Sequence, residues 1–241
     1  MRFVRGLCTL ALAGVLQLCL FVNANADEER IPSDTLWRFQ QRYLPWHSLP
    51  QAWNTFTGSS GIRVAVLDGF FASANADFDQ NRFYRTSLAI GMLHGTQVAS
   101  ILGAKSDNTL LMTGVDWHCS LGLYSVDLQD DSSMAEAIGA ALSHGARVIN
   151  CSWRSQTGTF PEPIQRRVAD AYQAGAVVIA AVGNKGADAD PVPVTPGSLD
   201  GLAIGVGGLD KYGRLHPESN WDWGTDFVAC ADTIGVAGCP A

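Results

Sequence analysis

An α/β fold with a parallel sheet flanked by helices on both faces is what this sequence predicts. Two observations carry that expectation. The candidate strands are apolar at almost every position rather than at alternate ones, as in strands buried on both faces. They also alternate along the chain with stretches of helical period, which is the pattern of β-α-β units.

The elements follow in order. Gln51 to Phe56 reads as a short helix, and Thr57-Gly-Ser-Ser-Gly61 as a turn. Ile62-Arg-Val-Ala-Val-Leu-Asp68 is a buried strand. His94 to Ala104 is a helix with Val98, Ile101 and Leu102 on one face. Leu121 to Val126 is a strand. Ser132 to His144 is a helix with Ser132 as its N-cap and Glu136 in its first turn. Ala146 to Cys151 is a strand. Pro161 to Ala174 is a helix, with Pro at its start and Gly175 just past its end. Ala176 to Val182 and Leu202 to Val206 are apolar strands, and Asp226 to Cys230 is a last short one.

The 241 residues suit one domain, and 47% hydrophobic with 16% charged residues is ordinary for a globular chain. Residues 1–26 read as a signal peptide. Arg2 and Arg5 give the positive start, Leu7 to Val22 is largely apolar, and Ala24-Asn-Ala26 offers small residues before Asp27. Residues 27–60 form an N-terminal arm and 61–241 the main domain. No later stretch is apolar enough to span a bilayer, so a secreted or periplasmic location away from the membrane is expected. Loss of Arg2 and Arg5 would make the net charge of −7 two charges more negative. Such acidity argues against a nucleic-acid surface.

Four cysteines remain after the signal: Cys119, Cys151, Cys230 and Cys239. Cys230 and Cys239 bracket a short segment and are the expected pair. Cys119 starts one strand and Cys151 ends another. If those strands are parallel, the thiols lie at opposite ends and cannot meet. His118 beside Cys119 lacks any CxxC or HxxxH context, so no metal site is expected there.

In a parallel sheet, sites form where the loops leave the carboxyl ends of the strands. Asp68 ends one strand and Asn184 follows another. His94 opens a helix, where the dipole disfavours the charged imidazole. A carboxylate at a strand end needs a partner, and a nearby imidazole would be oriented by it. The Asn184 amide, between Gly183 and Gly186, is a donor that a developing oxyanion could use.

These residues resemble blocks of the subtilisin-like serine protease (subtilase) family. Val64-Ala-Val-Leu-Asp68 is similar to its Asp block, and His94-Gly-Thr-Gln-Val-Ala-Ser to its His block. Val148-Ile-Asn-Cys-Ser-Trp is similar to its substrate-binding strand, and Ala180-Ala-Val-Gly-Asn-Lys-Gly186 to its oxyanion block. Gln51-Ala-Trp-Asn and Leu202 to Ala229 also fit, so the likeness runs from about Leu44 to Asp232. The chain order Asp, His, Ser is a property of that family, not something that spacing reveals. The resemblance implies that Asp68 orients, His94 acts as base then acid, and Asn184 supplies an oxyanion donor. The backbone of Ser152, Trp153 and Arg154 would pair with an extended polypeptide substrate. The implied reaction is peptide-bond hydrolysis through an acyl-enzyme, with no cofactor.

Departures accompany the likeness. The family's Gly-Thr-Ser block would follow Ala229-Cys-Ala-Asp232 by some twenty residues, and the 241 residues contain no such block. The chain as given is therefore expected to be inactive, and a secreted pseudoprotease that binds peptides or proteins is the alternative. Asp131-Ser-Ser-Met-Ala135 is a partial lookalike, but it lies at a predicted helix start, where Ser132 and Ser133 read as capping. Gly69-Phe70 follows Asp68 where the family prefers Ser or Thr then Gly. Arg154 stands where the family's substrate strand has Gly. A long cation there would crowd a substrate backbone or favour an acidic side chain.

Overall fold

The computed structural model describes residues 29–37, 43–72, 76–86, 93–155, 160–186, 194–221 and 224–231. Residues 1–26 and Cys239 lie outside them, so the expected signal peptide and the Cys230 pairing are not part of this description.

Residues 29–31 and 44–57 form a small unit of their own. It holds most of a short helix, α1 (Tyr43–Trp46), and all of α2 (Leu49–Thr55). Pro50 sits in the first turn of α2, where its missing N–H costs nothing. Trp53 is buried, and the Arg30 N–H donates to the Pro50 carbonyl at 3.0 Å.

Residues 32–37, Tyr43 and the described residues from Gly58 onward form the second unit. Its strands are β1 (Arg63–Asp68), β2 (Phe83–Thr86), β3 (Ser120–Ser125), β4 (Val148–Cys151), β5 (Val177–Ala181), β6 (Ala203–Leu209) and β7 (Phe227–Cys230). Its helices are α3 (His94–Gly103), α4 (Asp131–Ser143) and α5 (Glu162–Gln173). The seven strands form one sheet in the order β2-β3-β1-β4-β5-β6-β7. Every pairing is parallel.

β1 explains why the strands are apolar without alternation. Ala65 and Leu67 belong to a core that includes Met134, Ile138, Ile164 and Val168 from α4 and α5. Val64 and Val66 point the other way, into a core with Phe71, Phe78 and Ala99, the last from α3. Both faces are covered, so neighbouring residues must all be apolar.

The chain leaves β3 through α4 and enters β4 on the far side of β1. The crevice at the carboxyl ends of β1 and β4 is therefore the topological switch point, where such sheets bind ligands. At the far edge, Phe227 and Val228 on opposite faces of β7 are both exposed.

Three details differ from the sequence expectation. β2 has no counterpart in it. This four-residue edge strand has a register shift between Phe83 and Arg85, so its identity comes from pairing with β3 rather than from a local pattern. Asp130, not Ser132, caps α4, with its Oδ1 accepting the Ser132 N–H at 2.9 Å. The helix starts at Asp131, so Asp130 occupies the cap position from which a side-chain oxygen reaches the Ser132 amide. Ser133 Oγ instead accepts the Asp127 N–H at 3.1 Å. Helix α2 begins two residues earlier than the expected Gln51.

Cys119 lies just before β3 and Cys151 at the end of β4, and neither is bonded to another cysteine. Burial pushes the Cys119 thiol up to about 11. Burial, with the nearby Asp68 carboxylate, raises that of Cys151 further.

Candidate active site

Asp68 is the last residue of β1, and its side chain is 3% exposed. Its Oδ1 accepts the Gly69 N–H at 2.8 Å. Its Oδ2 meets His94 Nδ1 at 2.8 Å. Both oxygens thus have a partner, as a buried carboxylate requires. His94 opens α3 with 54% of its side chain exposed.

The residues after His94 have a local physical reason. A Cβ on Gly95 would lie 2.5 Å from the Phe70 carbonyl oxygen and 2.8 Å from the Asp68 Cβ. Only glycine lets the first turn of α3 lie so close to the end of β1. Thr96 is buried, and its Oγ1 accepts the Ala72 N–H at 2.7 Å. His-Gly-Thr is therefore one device: a partner for Asp68, a gap for close approach and an anchor for the 69–72 loop.

The imidazole differs from expectation. A helix N-terminus disfavours the charged form, yet the His94 pKa is raised from 6.5. The main cause is the hydrogen bond to Asp68, opposed by burial and assisted by the carboxylate's charge. The hydrogen bond that Asp68 offers the imidazole favours its charged form and sets the direction of the shift.

Beside this pair lies a cleft of about 300 Å³, walled by Asp68 at the end of β1, Gly69 and Phe70 after it, His94 from α3, Leu128 after β3, and Ser152, Trp153 and Arg154 after β4. Trp153 is mostly buried, and its indole N–H donates to the Leu67 carbonyl at 2.9 Å, tying the segment after β4 to β1. The Ser155 N–H donates to the Thr195 carbonyl at 2.8 Å. A second depression of about 570 Å³ shares Gly69, Phe70 and Leu128 with the first.

Asn184 follows β5, two strands from β1 at the same end of the sheet. It is exposed and is not among the residues walling the cleft. Gly183 before it has φ 110 and Gly186 after it φ 78, both in the region that favours glycine. The turn is clamped from behind by Asn220, which is 4% exposed. The Asn220 N–H donates to the Gly183 carbonyl at 3.0 Å. Its side-chain Oδ1 accepts the Lys185 N–H at 2.8 Å.

An aspartate and a histidine so paired at the switch point of a parallel sheet occur in this order within a single matched region. Residues 59–232 match the family model described as the subtilase family, Peptidase_S8. The chain belongs to the subtilase family.

Among curated subtilases, a thermophilic serine proteinase from a Bacillus species is 31% identical over 213 residues, covering 82% of this chain and 51% of that protein. Thermitase from Thermoactinomyces vulgaris is 30% identical over 196 residues, covering 75% and 66%. The chain spans about half the length of the first of these. Among solved structures, the prenylagaramide maturation protease superposes with a TM-score of 0.66 at 26% identity, covering 76% of this chain and 67% of that one. A protease from Pseudoalteromonas arctica superposes at 0.71 with 24% identity over 83% and 72%, which shows the shared fold.

Within this subtilase fold the structure brings five of the six expected site residues around one cleft: Asp68, His94, Ser152, Trp153 and Arg154. Leu128 and Asn220 escape sequence reasoning. Leu128 carries only a lone apolar residue as its signal. Asn220 sits 36 residues from Asn184 with no motif to connect them. Among the described residues no group of three or more His, Cys, Asp or Glu side chains could hold a metal. None of the described helices is long and apolar enough to cross a membrane.

Proposed function

We propose that this chain carries the orienting acid, the general base and an oxyanion donor of a subtilisin-like serine endopeptidase. The observation that supports it most is the 2.8 Å contact between Asp68 Oδ2 and His94 Nδ1 at the mouth of a cleft. Asp68 holds the tautomer that keeps the His94 proton on Nδ1, so that Nε2 can accept one. A serine hydroxyl would give its proton to Nε2 as its oxygen bonds to the scissile carbonyl carbon. His94 then returns the proton to the leaving amine, and water repeats the sequence on the acyl-enzyme. Asn184 would donate to the oxyanion. Ser152, Trp153 and Arg154 would align an extended polypeptide along the cleft.

No Gly-Thr-Ser sequence occurs in the 241 residues, so in this reading the nucleophile is not supplied by them and this stretch alone does not cleave peptides. A fluorophosphonate serine probe tests the reading. The 241-residue chain should stay unlabelled. Labelling lost in His94→Ala would place a nucleophile within it and overturn that part.

A second reading, a secreted pseudoprotease that holds a peptide without cutting it, is favoured by Phe70 and Arg154, which both wall the cleft. Peptide binding by a chain that the probe does not label would support it. In either reading the chain is exported and cut after Ala26. N-terminal sequencing of the protein recovered outside the cytoplasm checks this, and a mature chain starting at Met1 would contradict it.

A further inference from the structure

Phe70 and Phe71 are neighbours in opposite surroundings. Phe71 is 1% exposed and packs with Val66 and Ala99 in the core that α3 covers. Phe70 is 41% exposed. The backbone that carries it is fixed on both sides. The Gly69 N–H is held by Asp68 Oδ1, and the Ala72 N–H by Thr96 Oγ1. The Phe70 carbonyl itself lies against the first turn of α3, 2.5 Å from where a Cβ on Gly95 would be.

Leu128 comes from a different loop that is anchored as well. The Val126 N–H before it donates to the Asp68 carbonyl at 2.9 Å. Leu128 packs partly on the main core, and its Cδ1 would lie 3.2 Å from a Cβ on Gly69. Gly69, Phe70 and Leu128 are common to the cleft of about 300 Å³ and the depression of about 570 Å³, so they form the wall between the two. A single exposed phenylalanine needs no explanation. Two apolar side chains from separate anchored loops, on the shared wall of two concavities at the switch point, are surface that a ligand side chain can bury.

We propose that Phe70 is a specificity-determining residue: with Leu128 it selects polypeptide ligands that place an aromatic or large aliphatic side chain in the larger depression. The inference rests on the reading of the adjoining cleft as a peptide site and names the side-chain class that site takes. Phe70 stands where the family prefers Gly, so the preference belongs to this chain rather than to the fold. The anchored backbone holds the ring in place before a ligand arrives, which lowers the ordering cost of binding.

The experiment uses the full chain and three end-capped fluorescent peptides of Gly and Ser that differ at one central residue, Phe, Leu or Ala. Binding is read by anisotropy, and contact with the site by the shift of the His94 ring protons in NMR spectra. The Phe and Leu peptides should bind about tenfold tighter than the Ala peptide. The advantage should fall to about twofold in Phe70→Ala, with the Ala peptide unaffected, and survive in Phe70→Leu. Equal binding of all three peptides with His94 shifted overturns the selectivity while leaving the peptide site intact. A preference that persists in full in Phe70→Ala assigns it to another part of the wall and also overturns the proposal. No His94 shift with any peptide overturns the peptide-site reading, and the proposal with it.

Discussion

Gly95 and Asp68 are neighbours because Gly95 has no side chain to strike its partner: a Cβ there would sit 2.8 Å from that of Asp68. The same methyl would lie 2.5 Å from the Phe70 backbone oxygen, which cannot swing aside. Gly95→Ala should therefore push α3 off the end of β1. A loss of about 1–3 kcal/mol is expected in denaturant unfolding, with the His94 ring resonances displaced. An unchanged midpoint would show that the helix shifts without cost.

Removing the carboxylate charge should lower the His94 pKa. The raised value comes first from the hydrogen bond to Asp68, so Asp68→Asn should bring the midpoint down in an NMR titration. The linked stability has a definite sign. A histidine whose folded pKa is raised contributes stability that is fully present below its unfolded value of 6.5 and lost as pH rises through the folded value. The melting temperature of the native chain should thus exceed that of Asp68→Asn by more at about pH 5.5 than at about pH 8.5. A gap independent of pH would contradict the linkage.

Thr96 and the Ala72 amide form a buried or half-buried pair at 2.7 Å. Thr96→Val keeps the volume and removes the acceptor, leaving that N–H unsatisfied. A cost of about 1–3 kcal/mol is expected. Thr96→Ser restores the oxygen and should recover most of it. A loss in Thr96→Ser with none in Thr96→Val would point to packing of the methyl instead.

Asn220 should hold the Asn184 turn through the Lys185 amide, 2.8 Å from its side-chain oxygen. In Asn220→Ala, hydrogen exchange at Lys185 should accelerate by about tenfold. Exchange in α4, which Asn220 does not touch through any of these bonds, should stay as it was. Uniform acceleration across the chain would mean global destabilisation rather than a loosened turn.

The two buried thiols should be inert. Cys119 lies near 11 through burial, and burial raises Cys151 as well. The thiolate is the reactive form, so neither should be alkylated by iodoacetamide at about pH 8 until the chain is unfolded. Labelling of Cys151 in the native protein would show that the sheet opens at the end of β4.

The strands β1, β3, β4, β5 and β6 are legible because burial on both faces leaves a local mark: Val64-Ala-Val-Leu is apolar without a break. β2 leaves no such mark, since a four-residue edge strand containing an arginine takes its identity from its neighbour. The N-cap of α4 lies two residues before the expected Ser132, because two acidic residues and two serines compete there and geometry selects Asp130.

Strand alternation, the ends at Asp68 and Asn184, and the His-Gly-Thr start of α3 are properties of contiguous residues. The sequence by itself therefore determined the fold class and the identity of the candidate pair. Which residues meet is different. The 26-position separation of Asp68 and His94 becomes 2.8 Å only once α3 packs over β1. Asn220 reaches Lys185 across a gap that no local pattern spans. The direction of the His94 shift belongs to the same class, since a helix end can be read from sequence but the competing carboxylate acts through distance. The tertiary structure decided these matters because electrostatic and hydrogen-bond energies depend on separation in space, which the chain sets only when the sheet closes around its core.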